Sequence, residues 1–223
     1  DRSTDNTLNI LREYSSKFSN IKIISNDKKF GSAARNFYHL TRTVDVTAFD
    51  YIAFSDQDDV WGDRKLINAI SSLKEFKCSA YSSNFYAVWE KTGKRILVRK
   101  DYPQTEIDYW FEGPGPGCTQ VFSATAFAEF QKFITENWSK IHDIRYHDWL
   151  IYAFMRNKGF SWHISNSPDL NYMQHSSNEI GVNSGIAALL KRIKMLKSGW
   201  YRHQVDLIHS VVTGHSTKLF CLS

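Results

Sequence analysis

Asp56, Asp58 and Asp59 stand within four positions, directly after the apolar run Tyr51-Ile52-Ala53-Phe54. A short apolar run closed by polar residues reads as a buried strand. The exits of such strands are where open α/β sheets bind their ligands. Carboxylates this close repel one another, which raises at least one pKa unless a cation neutralises them. A hard divalent ion, Mg2+ or Mn2+, with oxygen ligands and room for substrate phosphates, is the natural partner. The competing reading is a solvated loop with a capping aspartate. The apolar lead-in favours the metal.

Two further sets of residues can carry chemistry. His147 and Asp148 open a helical pattern whose apolar side holds Trp149, Leu150, Ala153 and Phe154. An aspartate there is stabilised by the helix dipole whatever else it does. Gln174 and His175 follow a short strand, a position from which an imidazole can reach a ligand. Residues 26–36 hold Gly31, two lysines and Arg35 but lack the GK[ST] ending of a P-loop. Cys118 has no histidine that spacing could pair with it, so it is not read as a nucleophile.

These groups need elements to position them. Leu8, Leu11, Tyr14 and Phe18 recur at helical spacing after a stretch dense in turn and cap residues. A strand is expected at 21–24, a helix at 32–41, a strand at 51–54 and an amphipathic helix at 63–76. Residues 79–88 alternate as one strand should, and Thr92-Gly93 turns the chain towards a partner strand at 95–98. A long loop covers 100–118. A strand at 119–123, helices at 124–137 and 147–158, and strands at 160–164 and 170–173 follow. Residues 186–212 read as a basic helix interrupted at Gly199. Strands alternating with helices argue an α/β, doubly wound, mainly parallel sheet flanked by helices.

FSDQDDVW, read with those elements, resembles the DxD-bearing segment of glycosyltransferase family 2, in particular its rhamnosyltransferase-like members. The opening DRSTDNT resembles the end of that family's DDxSxDxT segment, HDWLIY its catalytic-base segment and NYMQHSSNEIG its late QH segment. The four occur in the family's order. The resemblance implies a GT-A fold, a nucleoside-diphosphate sugar donor, a divalent metal and inversion at the anomeric carbon. It makes Asp148 the general base and Asp58 a metal ligand, with Asp59 and His175 beside the same ion and Gln174 supporting His175. Asp1 and Asp56 would hold the base or ribose. Arg35 and Asn36 would face the donor, and Gly117 with Thr119 would form a small-residue turn that lets a ligand approach. His147 stands where the family often has glutamate. The family's first βα unit has no counterpart before Asp1, so these residues alone are expected to be unstable or weakly active.

Composition limits the alternatives. At 223 residues, 42% hydrophobic and 23% charged, the chain is ordinary globular material. No apolar stretch is long enough to span a bilayer. Three scattered cysteines suggest neither a disulfide framework nor a zinc site. The excess charge lies beyond residue 184, where Lys191, Arg192, Lys194, Lys197, Arg202 and Lys218 outnumber Asp206. The expected division is a catalytic domain over 1–183 and a basic helical extension over 184–223. That extension could touch lipid phosphates, and nothing favours nucleic acid. The expected setting is the cytoplasm, at the inner face of the membrane, with a glycan or lipid-linked acceptor. The other readings are a metal-dependent nucleotidyl- or phosphotransferase, and a non-catalytic binding relic.

Overall fold

The computed structural model describes residues 3–26, 29–175, 194–195 and 197–215. Its first helix, α1 (Thr7–Lys17), buries none of its residues. The strand expected at 21–24 does not form. A β-prone run this short needs a neighbour to pair with, and no strand pairing among the described residues includes it. Helix α2 (Ala33–Thr43) starts at Ser32, whose Oγ accepts the Arg35 N–H at 3.3 Å. It turns Ala34, Tyr38 and Thr41 inward. These positions recur at helical spacing on one face.

The remaining strands form two four-stranded sheets. In the first the order is β1 (Tyr51–Ala53), β6 (Val121–Ser123), β3 (Ala80–Ser83), β7 (Trp162–Ser165). In the second it is β2 (Val60–Trp61), β8 (Leu170–Met173), β4 (Phe85–Trp89), β5 (Lys94–Val98). The expectation of a mainly parallel sheet is corrected to mixed sheets. Pairs β3–β7 and β4–β8 are parallel, while β1–β6, β3–β6, β2–β8 and β4–β5 are antiparallel. Strand β6 enters from the turn at residues 117–119 and runs against both of its neighbours. Periodicity reports burial of a strand's faces, not its direction.

The single strand expected over 79–88 is two strands in different sheets, β3 and β4, divided at Asn84. The Asn84 Oδ1 accepts the N–H groups of Lys100 (2.5 Å) and Asp101 (3.1 Å). Its Nδ2 donates to the Asp101 carboxylate and the Asn166 carbonyl. A buried amide so fully bonded fixes the bend. The chain crosses from the first sheet to the second at two other places, residues 54–59 and 166–169. All three crossings lie along one seam.

Helices α3 (Lys65–Glu75) and α4 (Ala124–Glu136) pack on the first sheet, and α5 (His147–Asn157) packs against α2 and α4. The main core gathers Phe122, Phe127, Phe130, Phe154 and Trp162, all 5% exposed or less. Burying each such ring contributes about 1.5–3 kcal/mol. Helix α6 (Trp200–Thr213) begins after Gly199, whose φ of 70° suits glycine and makes the expected interruption. Val205, Ile208, Val211 and Val212 dock it into the same core. Gln204 accepts the Arg145 N–H and donates to the Asp143 carbonyl, bracing the turn before α5. Lys191, Arg192 and Lys218 of the expected basic extension lie outside the described residues. No described helix is long and apolar enough to cross a membrane.

Candidate active site

The loop from β1 to β2 divides its three aspartates between two directions. The Asp58 Oδ2 meets His175 Nε2 at 2.7 Å, with side chains 26% and 41% exposed, open to an incoming ligand. Asp59 turns inward, and its Oδ1 accepts the Met173 N–H at 3.0 Å. Its Oδ2 is buried with no hydrogen-bond partner among the described residues. Asp56, Asp59 and Cys118 bring one ligand atom each to within 4.8 Å of one another. His175 reaches this loop because β8 pairs with β2 in antiparallel register, Trp61 facing Leu170.

The electrostatics follow from that crowding. The Asp56 carboxyl is pushed up to about 7, by burial first, then by Asp59, Asp58 and Asp148; the Cys118 thiol partly offsets this by hydrogen bonding. Burial also raises Asp59, opposed by Cys118 and the Met173 N–H. The Cys118 thiol is itself held well above its ordinary value by burial and the two carboxylates, so it stays protonated. An oxygen buried without a hydrogen-bond partner among the described residues, beside carboxylates that raise the pKa of Asp56, fits a divalent cation with oxygen ligands.

Asp148 lies in the first turn of α5. Its Oδ1 accepts the Trp149 N–H at 3.0 Å, and its carbonyl accepts Gln120 Nε2 at 3.2 Å. Burial raises its carboxyl to about 6 against the pull of backbone N–H groups and Lys100. His147 stacks on Phe37 with ring centroids 4.1 Å apart and meets Phe54 edge-on at 5.6 Å. Burial lowers it to about 3, so the imidazole is neutral. It is a packed ring and does not turn to solvent.

The turn at residues 117–120 joins the two carboxylate groups. A Cβ on Gly117 would stand 2.4 Å from His147 Nε2, so only glycine fits without displacement. Cys118 touches Asp56 and Asp59, while Gln120 holds the Asp148 carbonyl. Asp148 and the acidic loop thus share one side of the molecule.

Other expected residues are placed differently. The Thr119 hydroxyl donates to the Pro116 carbonyl at 2.8 Å, closing the turn, and the residue is fully buried. The Arg35 guanidinium is taken up by the His142 carbonyl and the Asp143 carboxylate. Asn36 is half-buried on α2. Gln174 is buried, its N–H bonded to the Val88 carbonyl at 2.8 Å. Asp1 lies outside the described residues.

Sequence reasoning missed three members of the neighbourhood. Cys118 is excluded as a nucleophile on sequence, and its place between Gly117 and Thr119 was the available signal for a site neighbour. Gln120 gave none. Lys65, 1% exposed, places its ammonium 4.1 Å from the Trp61 ring centroid. Burial lowers it to about 8. Trp61 is accordingly a packing residue beside the acidic loop.

The glycosyl transferase family 2 model matches residues 1–134. The chain is 42% identical over 217 residues to the dTDP-rhamnosyl transferase RfbG of Shigella flexneri, covering 97% of this chain and 75% of that one. In fold it is similar to S. aureus TarS 1-349 solved with UDP-GlcNAc (TM-score 0.56, 13% identity, 97% of this chain). The same protein solved with UDP gives a TM-score of 0.51 at 13% identity over 97% of this chain. This chain spans 62% and 61% of those two TarS chains.

Proposed function

The chain belongs to glycosyl transferase family 2, and on that premise we propose that it transfers a sugar from a nucleoside diphosphate to an alcohol. The donor is dTDP-rhamnose, by analogy with the Shigella relative. The acceptor is a glycan or lipid-linked glycan of a surface polysaccharide, met at the inner face of the membrane. The observation that supports this reading is the turn at residues 117–120, which touches His147 at Gly117, the Asp148 carbonyl at Gln120, and Asp56 and Asp59 at Cys118.

The chemistry assigns the residues. The acceptor oxygen attacks the anomeric carbon from the face opposite the diphosphate. The new C–O bond forms as the bond to the diphosphate breaks, so configuration inverts. The hydroxyl proton passes to Asp148, a carboxylate that is mostly ionised at neutral pH because its pKa of about 6 lies close below. Asp58 and His175, with Asp59 behind them, would hold Mg2+ or Mn2+, which when bound neutralises the departing diphosphate. Asp56, on the same acidic loop, suits a polar contact to the ribose. Gly117 leaves room for the His147 ring, which lets the turn pack on the start of α5.

Two substitutions test the reading with dTDP-rhamnose, Mn2+ and a glycan acceptor. Asp148→Asn is expected to lower kcat by about 10²–10⁴-fold while Mn2+ and dTDP still bind. Asp58→Asn is expected to lose both turnover and Mn2+ affinity, read by calorimetry. Turnover spared by Asp148→Asn but lost in Asp58→Asn would favour phosphoryl chemistry instead. Nucleotide binding by the unaltered chain without any transfer would favour a binding relic.

A further inference from the structure

The second sheet has one packed face and one open face. Residues paired across neighbouring strands share a face. Trp61, Leu170, Phe85 and Val98 pack inward with Cys118. On the other side Val60, Asn171, Tyr86 and Leu97 form a row across all four strands. Met173, Val88 and Arg95 form the next row. Among the described residues the helices pack chiefly on the first sheet and on one another. Val60 and Leu97, on the two edge strands, are accordingly 53% and 45% exposed.

The β4–β5 hairpin that borders this face is basic. Over residues 90–99 Lys91, Lys94, Arg95 and Arg99 face Glu90 as the single acid, and all four cations are exposed. Arg99 is taken up by Asp101. No carboxylate stands in ion-pair range of Lys91, Lys94 or Arg95 among the described residues. Two of these three lie against aromatic rings. The Arg95 guanidinium is 3.5 Å from the Tyr86 ring centroid and donates to the Asn171 Oδ1 at 3.2 Å. The Lys94 ammonium is 5.2 Å from the Trp89 ring centroid. Stacking and one hydrogen bond hold the Arg95 fork in place and leave its other N–H groups for an anion.

Charges along β5 alone are explained as protection of an edge strand. They do not explain apolar side chains left open on the same face at both edges. We propose that this face and its hairpin dock on a membrane rich in anionic lipid, the headgroup phosphates meeting Lys91, Lys94 and Arg95 while Leu97 and Val60 enter the interface. Apolar side chains bordered by unneutralised cations and by tyrosine and tryptophan suit that boundary. The surface is continuous with the site. Two strand spacings of about 4.8 Å put Arg95 roughly 10 Å from Met173, and His175 follows two residues on, bonded to Asp58. The proposal goes beyond the catalytic reading, since docking needs neither donor nor turnover.

The test is flotation of the full chain with phosphatidylcholine vesicles, with and without phosphatidylglycerol. Binding is expected to need phosphatidylglycerol and to weaken as NaCl rises. Lys94→Gln combined with Arg95→Gln should weaken it about 10–30-fold, each cation near an anionic surface being worth about fivefold. Leu97→Asp should weaken it as well, and unchanged urea midpoints establish that both variants keep the fold. Equal binding without phosphatidylglycerol overturns the proposal. So does binding that survives in both variants and is lost only when Lys191, Arg192, Lys194 and Lys197 are replaced by glutamine. Self-association lost in Leu97→Asp with vesicle binding intact, read by sedimentation velocity, overturns it too and assigns the face to a second copy.

Discussion

Asp56 is flanked by Asp58 and Asp59, with Asp148 adding to the same field, and burial removes the water that would screen them. Its folded pKa of about 7 lies above the ordinary 3.8. The folded state therefore keeps a proton that the unfolded chain has already lost. Stability contributed by this group is present below about pH 4 and is lost as pH rises through 7. Asp56→Asn is expected to stabilise the metal-free protein by about 1–3 kcal/mol at pH 8 and by little at pH 4. Urea melts in EDTA at the two pH values check this; an equal effect at both would contradict it. The clustering of the aspartates was legible because charges adjacent in sequence are adjacent in space. The inward turn of Asp59 was not, since it depends on the Met173 N–H from a distant strand.

Asn84 sets the arrangement of β3, β4 and the loop after β5. Alternation of apolar and small residues predicts one strand over 79–88, and it reports faces correctly up to that point. It carries no sign of the bend, because the bend is held by Lys100, Asp101 and Asn166, which are far along the chain. Asn84→Ala leaves two backbone N–H groups without their acceptor. A loss of about 1–3 kcal/mol in urea denaturation is expected. Helix α5 shows the opposite case. Its start at His147, its apolar side and the acidic residue in its first turn were all readable, since 3.6-residue periodicity and dipole preference are local properties. Helix α2 likewise begins at the serine whose side chain caps it.

The two sheets meet along a seam where the chain crosses between them at residues 54–59, at Asn84 and at 166–169. The acidic loop is one of these crossings, and His175 follows the strand that the third one feeds. Hydrogen exchange with Mn2+ and dTDP should slow amides at 55–59, 117–120 and 173–175 and leave α4 unchanged. Uniform slowing, or none at the seam, would count against that location. The amino-acid sequence by itself determined the helices, most of the strands, the acidic loop and the order of the family's motifs, because propensity, periodicity and short-range charge are written locally. Strand direction, the sheet-crossing at Asn84, and the meeting of Cys118 with Asp56 and Asp59 were decided only by tertiary structure. Each of these depends on which distant segment supplies the hydrogen-bond partner, and no local pattern encodes that choice.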